Sequence, residues 1–112
     1  MPHLIYKNLG ETPLEALERF RGEKIAAGEA FADLPLTYAG RLDPMAEGLL
    51  LVLAGDECKQ KEKYLGLDKV YETEILLGVE TDTHDLLGLL SGKFNPQKIT
   101  RATVDTELKK FL

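Results

Sequence analysis

The chain has 112 residues, 44% of them hydrophobic and 29% charged, which is the composition of one small globular domain and not of a disordered chain. Its formal net charge of −5 argues against a generic nucleic-acid coat, although a local basic strip could still contact nucleic acid. No apolar run approaches the roughly 20 residues that span a bilayer, and the single cysteine, Cys58, excludes an internal disulfide and a Cys/His metal cluster. We therefore expect one domain over residues 1–112, in the cytoplasm, with no secretory signal, membrane association or metal.

The first part of the chain predicts a short strand and then a capped helix. Residues 4–7 have the composition of an edge strand. Thr12 is followed by a proline at the first helical position and, three residues after the cap, by Glu15, which is the pattern of a capping box. Apolar residues then recur at helical spacing, so we predict a helix that ends near Gly22 or continues to Gly28.

The rest of the chain mixes further strands and helices. Residues 48–54 are continuously apolar and begin at a glycine, which predicts a buried strand, and a helix over 56–65 follows, capped by its first residue. Residues 69–77 alternate in period two, which predicts a half-buried strand with residues 86–91 as a candidate partner, and Thr100 can cap a last helix. Because no regular βαβ rhythm is present, we predict the α+β class, with a mixed, mainly antiparallel sheet and flanking helices.

One loop has the composition of a reactive site. Asp43 precedes Pro44, which restricts its backbone, and Gly40 and Gly48 allow close backbone approach on either side. Arg41 could pair with the Asp43 carboxylate and keep it ionised in a partly buried pocket. From the spacing alone, an ordinary turn with Arg41 in a surface ion pair is the favoured interpretation.

The same loop carries a resemblance to a known family. Its sequence, Gly-Arg-Leu-Asp-Pro-x-Ala-x-Gly-Leu-Leu, is similar to the active-site loop of pseudouridine synthases. Three further stretches resemble the TruB-type tRNA pseudouridine synthases in the right order: residues 4–12, residues 55–59, and residues 69–71 with 77–88. The resemblance therefore covers nearly the whole chain, and implies the N-terminal portion of a pseudouridine synthase catalytic domain.

This resemblance implies an RNA-modifying enzyme. Such enzymes break the N-glycosidic bond of a uridine, rotate the base and rejoin it through carbon, so the implied partner is RNA, in particular the T-loop of tRNA. By its place in the motif Asp43 is the nucleophile, attacking C1′ of the ribose or C6 of the base. An aspartate suits the role because it is ionised at neutral pH. No metal or cofactor is implied.

Three further residues are implied to bind the substrate. Tyr71 matches the family's tyrosine that stacks on the flipped base opposite the aspartate, although from its pattern alone it could be a core tyrosine. Tyr38 stands where the family has a histidine and could still stack on a base. Arg41 departs from the TruB pattern, since Arg-Leu-Asp is usual in the RsuA and RluA groups that modify ribosomal RNA. An RsuA/RluA-like enzyme is thus an alternative.

Two charged sets have two interpretations each. The lysines could form a strip that contacts phosphates or the solvated face of a helix: Lys7, Lys59, Lys61, Lys63 and Lys69. The loop over residues 81–85 could be a metal or acid/base site, but capping by its own Asp and Thr side chains is the simpler interpretation.

The resemblance ends before the region in which the family carries an arginine paired with the nucleophile, a pocket-lining leucine and the rest of the sheet. We expect no RNA-binding domain of the PUA type in these 112 residues. The chain then corresponds to part of a longer protein or to a minimal homologue, and a non-catalytic RNA-binding module is a further alternative. An open sheet edge with apolar surface predicts a homo-oligomer or a partner chain that covers it.

Overall fold

The computed structural model describes residues 1–96 and 98–112, and the chain divides into two units, Met1–Lys69 and Val70–Leu112. The first unit contains a three-stranded sheet and the longest helix, and the second contains a two-stranded sheet and the last helix. All strand pairs among the described residues are antiparallel, so the predicted α+β class is confirmed. The expectation that residues 1–112 act as one domain stays a prediction.

The sheet of the first unit is built around its most apolar strand. The strand order is β1-β3-β2, which places β3 in the centre and β1 at an edge, as the sequence predicts. Helix α1 crosses the sheet and is followed by a loop that returns to β2. The elements are β1 (His3–Lys7), α1 (Pro13–Ala26), β2 (Leu36–Ala39), β3 (Gly48–Ala54), a 3₁₀ turn (Gly55–Gln60) and α2 (Glu62–Leu65).

Helix α1 begins as predicted and takes the longer of its two predicted ends. The Thr12 hydroxyl accepts a hydrogen bond from the Glu15 amide at 3.2 Å, and the Glu15 carboxylate accepts one from the Thr12 amide at 2.8 Å. This reciprocal capping satisfies two amides that have no partner within the helix. The apolar face of the helix buries Leu17 and Phe20 against Val52 of β3, and burial of each large side chain stabilises the fold by about 1.5–3 kcal/mol.

The predicted helix over 56–65 forms, but not with the predicted cap. It starts at Gly55 as a 3₁₀ turn and continues as α2. The predicted capping residue, Asp56, instead pairs with Lys59 at the surface, at 3.2 Å. The N-cap residue is Ala54, and its amide donates a hydrogen bond to the Glu57 carboxylate at 3.4 Å.

The second unit contains one wrong prediction. Its elements are β4 (Val79–Thr81), β5 (Leu90–Lys93), α3 (Arg101–Leu108) and a 3₁₀ turn (Lys109–Phe111). The strand predicted over residues 69–77 does not form, and residues 69–76 have no regular secondary structure. Strand β5 pairs instead with β4. A period-two pattern identifies residues suited to a strand, but it does not choose the backbone partner that a strand requires. The cap on the last helix is confirmed, since Thr100 accepts a hydrogen bond from the Thr103 amide at 3.2 Å.

The solvent-facing side of the three-stranded sheet is apolar. Leu4, Tyr6 and Leu49 are each at least half exposed, on the edge strand and on the central strand. The expectation that a second copy or a partner chain covers this surface stays a prediction. Among the described residues, no helix combines the length and the apolar character that crossing a membrane requires.

Candidate active-site loop

Residues 40–47 connect two neighbouring strands, β2 and β3, so the loop projects from one end of the sheet. Gly40 opens it with a φ of +81°, a conformation that favours glycine, and a Cβ there would lie 3.0 Å from the Nζ atom of Lys69. Further along, the amide of Ala46 donates a hydrogen bond to the Asp43 carbonyl at 2.9 Å. The backbone around Asp43 is thus a closed turn.

The Asp43 carboxylate faces solvent. Its side chain is 82% exposed and that of Arg41 is 70% exposed, with 3.8 Å between Arg41 Nε and Asp43 Oδ1. The predicted ion pair is therefore present, but such exposed pairs contribute little to stability. Among the described residues, the partly buried pocket predicted for this carboxylate is absent, since most of the side chain is exposed.

A buried lysine is hydrogen-bonded to the backbone of this loop. The side chain of Lys7 is fully buried, and its ammonium donates hydrogen bonds to the carbonyls of Asn8 at 2.9 Å, Glu11 and Pro44 at 3.3 Å. The Pro44 carbonyl also accepts a hydrogen bond from the Gly10 amide at 2.6 Å. Two donors, one on the last residue of β1 and one in the turn that follows it, thus hold the carbonyl of Pro44, the residue after Asp43.

That turn is fixed in its own right by an ion pair with helix α1. Arg19 Nε lies 2.9 Å from Glu11 Oε1, and Arg19 Nη2 donates to the Tyr6 carbonyl at 2.7 Å. The other carboxylate oxygen of Glu11 accepts a hydrogen bond from the Asn8 amide at 2.9 Å. The Arg19 hydrogen bond, followed by that from Asn8, lowers the pKa of the Glu11 carboxyl below its ordinary value.

Tyr38 lies on β2 and is half-buried. It packs against the core cluster of Leu17, Phe20 and Val52, and the ammonium of Lys61 stands over its ring, 5.3 Å from the centroid. This is cation–π geometry, so a positive charge accompanies the ring although tyrosine itself carries none. A base-stacking role for Tyr38 stays a prediction, and packing against the core is what the structure shows.

Tyr71 belongs to the second unit and is 69% exposed, in the segment without regular secondary structure. The alternative of a core tyrosine is therefore wrong. Its predicted role beside the flipped base stays a prediction.

The loop over residues 81–85 is held by its own side chains, as predicted. The carboxylate of Asp85 accepts hydrogen bonds from the Thr83 hydroxyl at 2.6 Å and the Leu87 amide at 2.9 Å, and the carboxylate of Asp82 accepts one from the Leu89 amide at 2.7 Å. The Thr83 hydrogen bond and then the Leu87 amide lower the pKa of Asp85. Both carboxylates are therefore engaged in local turn structure.

The predicted basic strip is partly corrected. Lys7 cannot contact a phosphate, because it is fully buried and bound to carbonyls. Lys59 pairs with Asp56 and Lys63 with the Gln60 side chain, at 3.2 and 3.3 Å. Two lysines flank the Gly40–Asp43 end of β2: Lys61, over Tyr38, and Lys69, beside Gly40. A role in phosphate contact stays a prediction for those two.

Sequence reasoning missed Glu11 and Arg19, and both of its interpretations of Lys7, contact with phosphates or a solvated face, required an exposed side chain. A signal for Lys7 was available. Side chains alternate along β1, with Leu4 and Tyr6 exposed, so period two places Lys7 on the inner face with Ile5. A lysine on an inner face needs oxygen acceptors close to its ammonium, here the carbonyls of the two loops.

Comparison with known proteins identifies the family to which the chain belongs. The family model described as TruB family pseudouridylate synthase (N terminal domain) matches residues 34–112. The chain belongs to this family. The match confirms the resemblance to TruB-type enzymes, and it includes both the Asp43 loop and Tyr71.

Individual members of the TruB family show how much of the protein is represented. The chain is 34% identical over 100 residues to tRNA pseudouridine synthase B of Aquifex aeolicus (strain VF5), covering 86% of this chain and 32% of that protein. It is 29% identical over 107 residues to tRNA pseudouridine synthase B of Bacteroides fragilis (strain YCH46), covering 96% of this chain and 42% of that protein. Over 51 residues it is 49% identical to tRNA pseudouridine synthase B of Endomicrobium trichonymphae, covering 46% of this chain and 22% of that protein. The chain thus spans well under half the length of these TruB relatives.

Proposed function

We propose that this chain carries the nucleophile of a tRNA pseudouridine synthase, which isomerises a uridine of the T-loop to pseudouridine. The observation that carries the proposal is the Asp43 loop. Its carboxylate is 82% exposed, while the carbonyl of the following residue, Pro44, is held by the Lys7 ammonium and the Gly10 amide. A mobile reacting group would lose the advantage of orientation, so an exposed carboxylate on a held backbone suits a nucleophile. The names of the TruB relatives, tRNA pseudouridine synthase B, support tRNA as the substrate class.

The proposed reaction needs one carboxylate, and the substrate and the product are isomers. In one route Asp43 bonds to C1′ of the ribose as the N-glycosidic bond breaks. In the other it adds to C6 of the base, opening the C5–C6 double bond, and the N-glycosidic bond breaks afterwards. In both routes uracil is released from its original attachment through N1. After the base rotates, its C5 bonds to C1′ and Asp43 leaves. The proton lost from C5 is balanced by one gained at N1, so substrate and product have the same atoms. The target base must leave its stack to reach the carboxylate.

The remaining predicted residues have supporting roles in this proposal. Tyr71 stacks on the flipped base and helps remove the C5 proton. Arg41, 3.8 Å from the carboxylate, helps displace the base and supplies positive charge beside the nucleophile. Tyr38, with the Lys61 ammonium over its ring, lies against the RNA near the target.

RNA contact by a chain of net charge −5 requires local positive charge. Lys61 and Lys69 lie beside Tyr38 and Gly40, at the end of β2 that leads into the Asp43 loop. We assign them to the phosphates that flank the target uridine, and we place the protein with its tRNA substrate in the cytoplasm. No cofactor enters the proposed reaction.

The test is turnover by the chain with a tRNA transcript that contains only unmodified uridine. Pseudouridine is detected by chemical labelling and primer extension, because isomerisation leaves the mass unchanged. We expect product at the T-loop with the natural chain and none with Asp43→Asn. Asp68→Asn, which removes an exposed carboxylate in another loop, is the matched control and should remain active. Product formed at the same rate by Asp43→Asn would remove Asp43 from the role.

The exposure of Asp43 also favours a second candidate, a non-catalytic RNA-binding module that keeps the scaffold. Within the described residues nothing encloses the carboxylate, whose side chain is 82% exposed. This candidate predicts tRNA binding without turnover and with the same affinity in Asp43→Asn. A filter-binding titration at low salt, run beside the turnover assay, separates the two functions.

A further inference from the structure

We propose that the ion pair between Glu11 and Arg19 is a positioning device for the Asp43 loop, although neither side chain approaches the Asp43 carboxylate. The coupling runs from helix α1 through the turn over residues 8–11 to the Pro44 carbonyl. Its consequence for turnover rests on the proposed function, whereas its consequence for the loop backbone does not.

The first step is the set of hydrogen bonds that fixes the Glu11 carboxylate. The Glu11 side chain is only 14% exposed, and three donor groups converge on it: the Nε and Nη2 atoms of Arg19, at 2.9 and 3.2 Å, and the Asn8 amide, at 2.9 Å. Hydrogen bonds between ionised partners are shorter and stronger than neutral ones, and the planar guanidinium fixes orientation as well as distance. The pair of Glu11 and Arg19 therefore differs from an isolated surface ion pair in its burial and in the number of its hydrogen bonds.

The second step is the shape of the turn. The Glu11 amide donates to the Asn8 carbonyl at 3.2 Å, while Gly10, between them, has a φ of +82°. Glycine adopts this φ without strain but is equally free to adopt others, so contacts of neighbouring residues are needed to select this shape of the turn. The Glu11 carboxylate bound to the Asn8 amide closes the turn a second time, and Arg19 ties it to the helix.

The third step joins the turn to the nucleophile. The turn directs the Gly10 amide to the Pro44 carbonyl, at 2.6 Å, and its own carbonyls hold the Lys7 ammonium that also bonds Pro44. The φ of a proline is fixed, which leaves fewer free torsions between the Pro44 carbonyl and Asp43, so a shift of that carbonyl is passed in part to Asp43. A misplacement of about 1 Å in a reacting group can cost about a hundredfold in rate.

Two single variants and a matched control test the coupling in the full chain. Glu11→Gln and Arg19→Gln each remove one charge of the pair. Glu23→Gln is the control, because Glu23 is the other carboxylate bound by Arg19, at 3.2 Å, but it is 63% exposed and does not touch the turn. Arg19→Lys, which keeps the charge without the planar fork, serves if either variant fails to fold. Thermal unfolding of each protein establishes that it is folded.

The first readout is amide hydrogen exchange measured by NMR, which does not depend on activity. We expect the Gly10 and Ala46 amides to exchange about tenfold faster in Glu11→Gln and in Arg19→Gln, as the local contacts weaken, and unchanged in Glu23→Gln. The double variant should exchange no faster than either single variant, because the two residues act through each other. Unchanged exchange at Ala46 in folded variants overturns the proposal, and so does an equal effect in Glu23→Gln.

The second readout is steady-state turnover of tRNA. We expect kcat to fall about tenfold or more in Glu11→Gln while KM stays within about twofold, since a positioning residue affects the reacting geometry and not substrate binding. If Asp43→Asn abolishes turnover but Glu11→Gln leaves kcat unchanged, the positioning proposal fails and the proposed function stands. If the natural chain gives no product, the proposed function fails and the exchange at Ala46 decides the coupling alone.

Discussion

The ammonium of Lys7 and the carbonyl of Pro44 are hydrogen-bonded at 3.3 Å although 37 residues separate them in the chain. One residue ends the edge strand of the sheet, and the other follows the proposed nucleophile. A buried charge is stable only where oxygen acceptors replace its water, and here each acceptor is a backbone carbonyl from one of two loops. The lysine therefore joins the two loops at one end of the sheet.

Replacing Lys7 with Met should destabilise the chain by about 1–3 kcal/mol, because buried carbonyls lose a charged donor while the side-chain volume stays similar. Urea denaturation followed by circular dichroism measures the change. Lys63→Met, at an exposed position whose ammonium is bound to the Gln60 side chain, is the control and should stay within about 0.5 kcal/mol of the natural chain. Equal stability of the two variants would contradict the structural role of Lys7.

Two glycines in similar open space should respond to alanine in opposite directions. A Cβ meets nothing within 4 Å at either Gly10 or Gly22, but Gly10 has a φ of +82°. Gly10→Ala should therefore cost about 1–2 kcal/mol of stability. Gly22→Ala, within helix α1, should stabilise by up to about 1 kcal/mol because alanine restricts the unfolded chain and favours the helix. Thermal unfolding of both variants tests this, and a change of the same sign in both would refute the backbone explanation.

The Glu11 carboxyl should make stability depend on acid pH. Its pKa is lower in the folded chain than in the unfolded chain, so the unfolded state binds the proton more readily. The contribution is fully present above the unfolded pKa of about 4.3 and is lost as pH falls through the lower folded pKa. Arg19 and Lys7 are the positive groups that face the carboxyl. The hydrogen bond to Glu11 raises the pKa of Arg19, so the guanidinium stays charged throughout this range.

Urea titrations between neutral pH and pH 3 measure this contribution as a difference between the natural chain and Glu11→Gln, since other carboxyls titrate in both. We expect the two curves to converge as pH falls. A constant difference across the range would show that the Glu11 charge does not contribute.

The elements that follow from local rules were predictable, and those that depend on a distant partner were not. The capping box at Thr12 and Glu15 is encoded within four residues, and the apolar run of β3 has enough hydrophobicity to take the central place in its sheet. The alternation over residues 69–77 is equally clear, yet no strand forms there. A strand needs a backbone partner from elsewhere in the chain, and composition does not encode which segment supplies it.

The candidate site divides in the same way. The motif alone identifies Asp43 and the pair with Arg41, because these residues are neighbours in sequence. The contacts of Glu11 with Arg19, and of Lys7 with Pro44, arise only when β1, the helix and the loop are folded together. A single lysine or glutamate looks the same in the sequence whether its side chain is solvated or buried. The sequence could therefore not assign these contacts.

Removal of the proposed nucleophile should leave the fold intact. The Asp43 side chain is 82% exposed, and its one described ion pair, with Arg41 at 3.8 Å, is exposed on both sides. Asp43→Asn should therefore change the free energy of unfolding by less than about 0.5 kcal/mol, as expected for a surface pair. Arg41→Gln breaks the same pair from the other side and should be equally neutral. Urea denaturation of both variants checks this, and a loss above about 1 kcal/mol in Asp43→Asn alone would mean that the carboxylate supports the loop and that lost turnover cannot be assigned to chemistry.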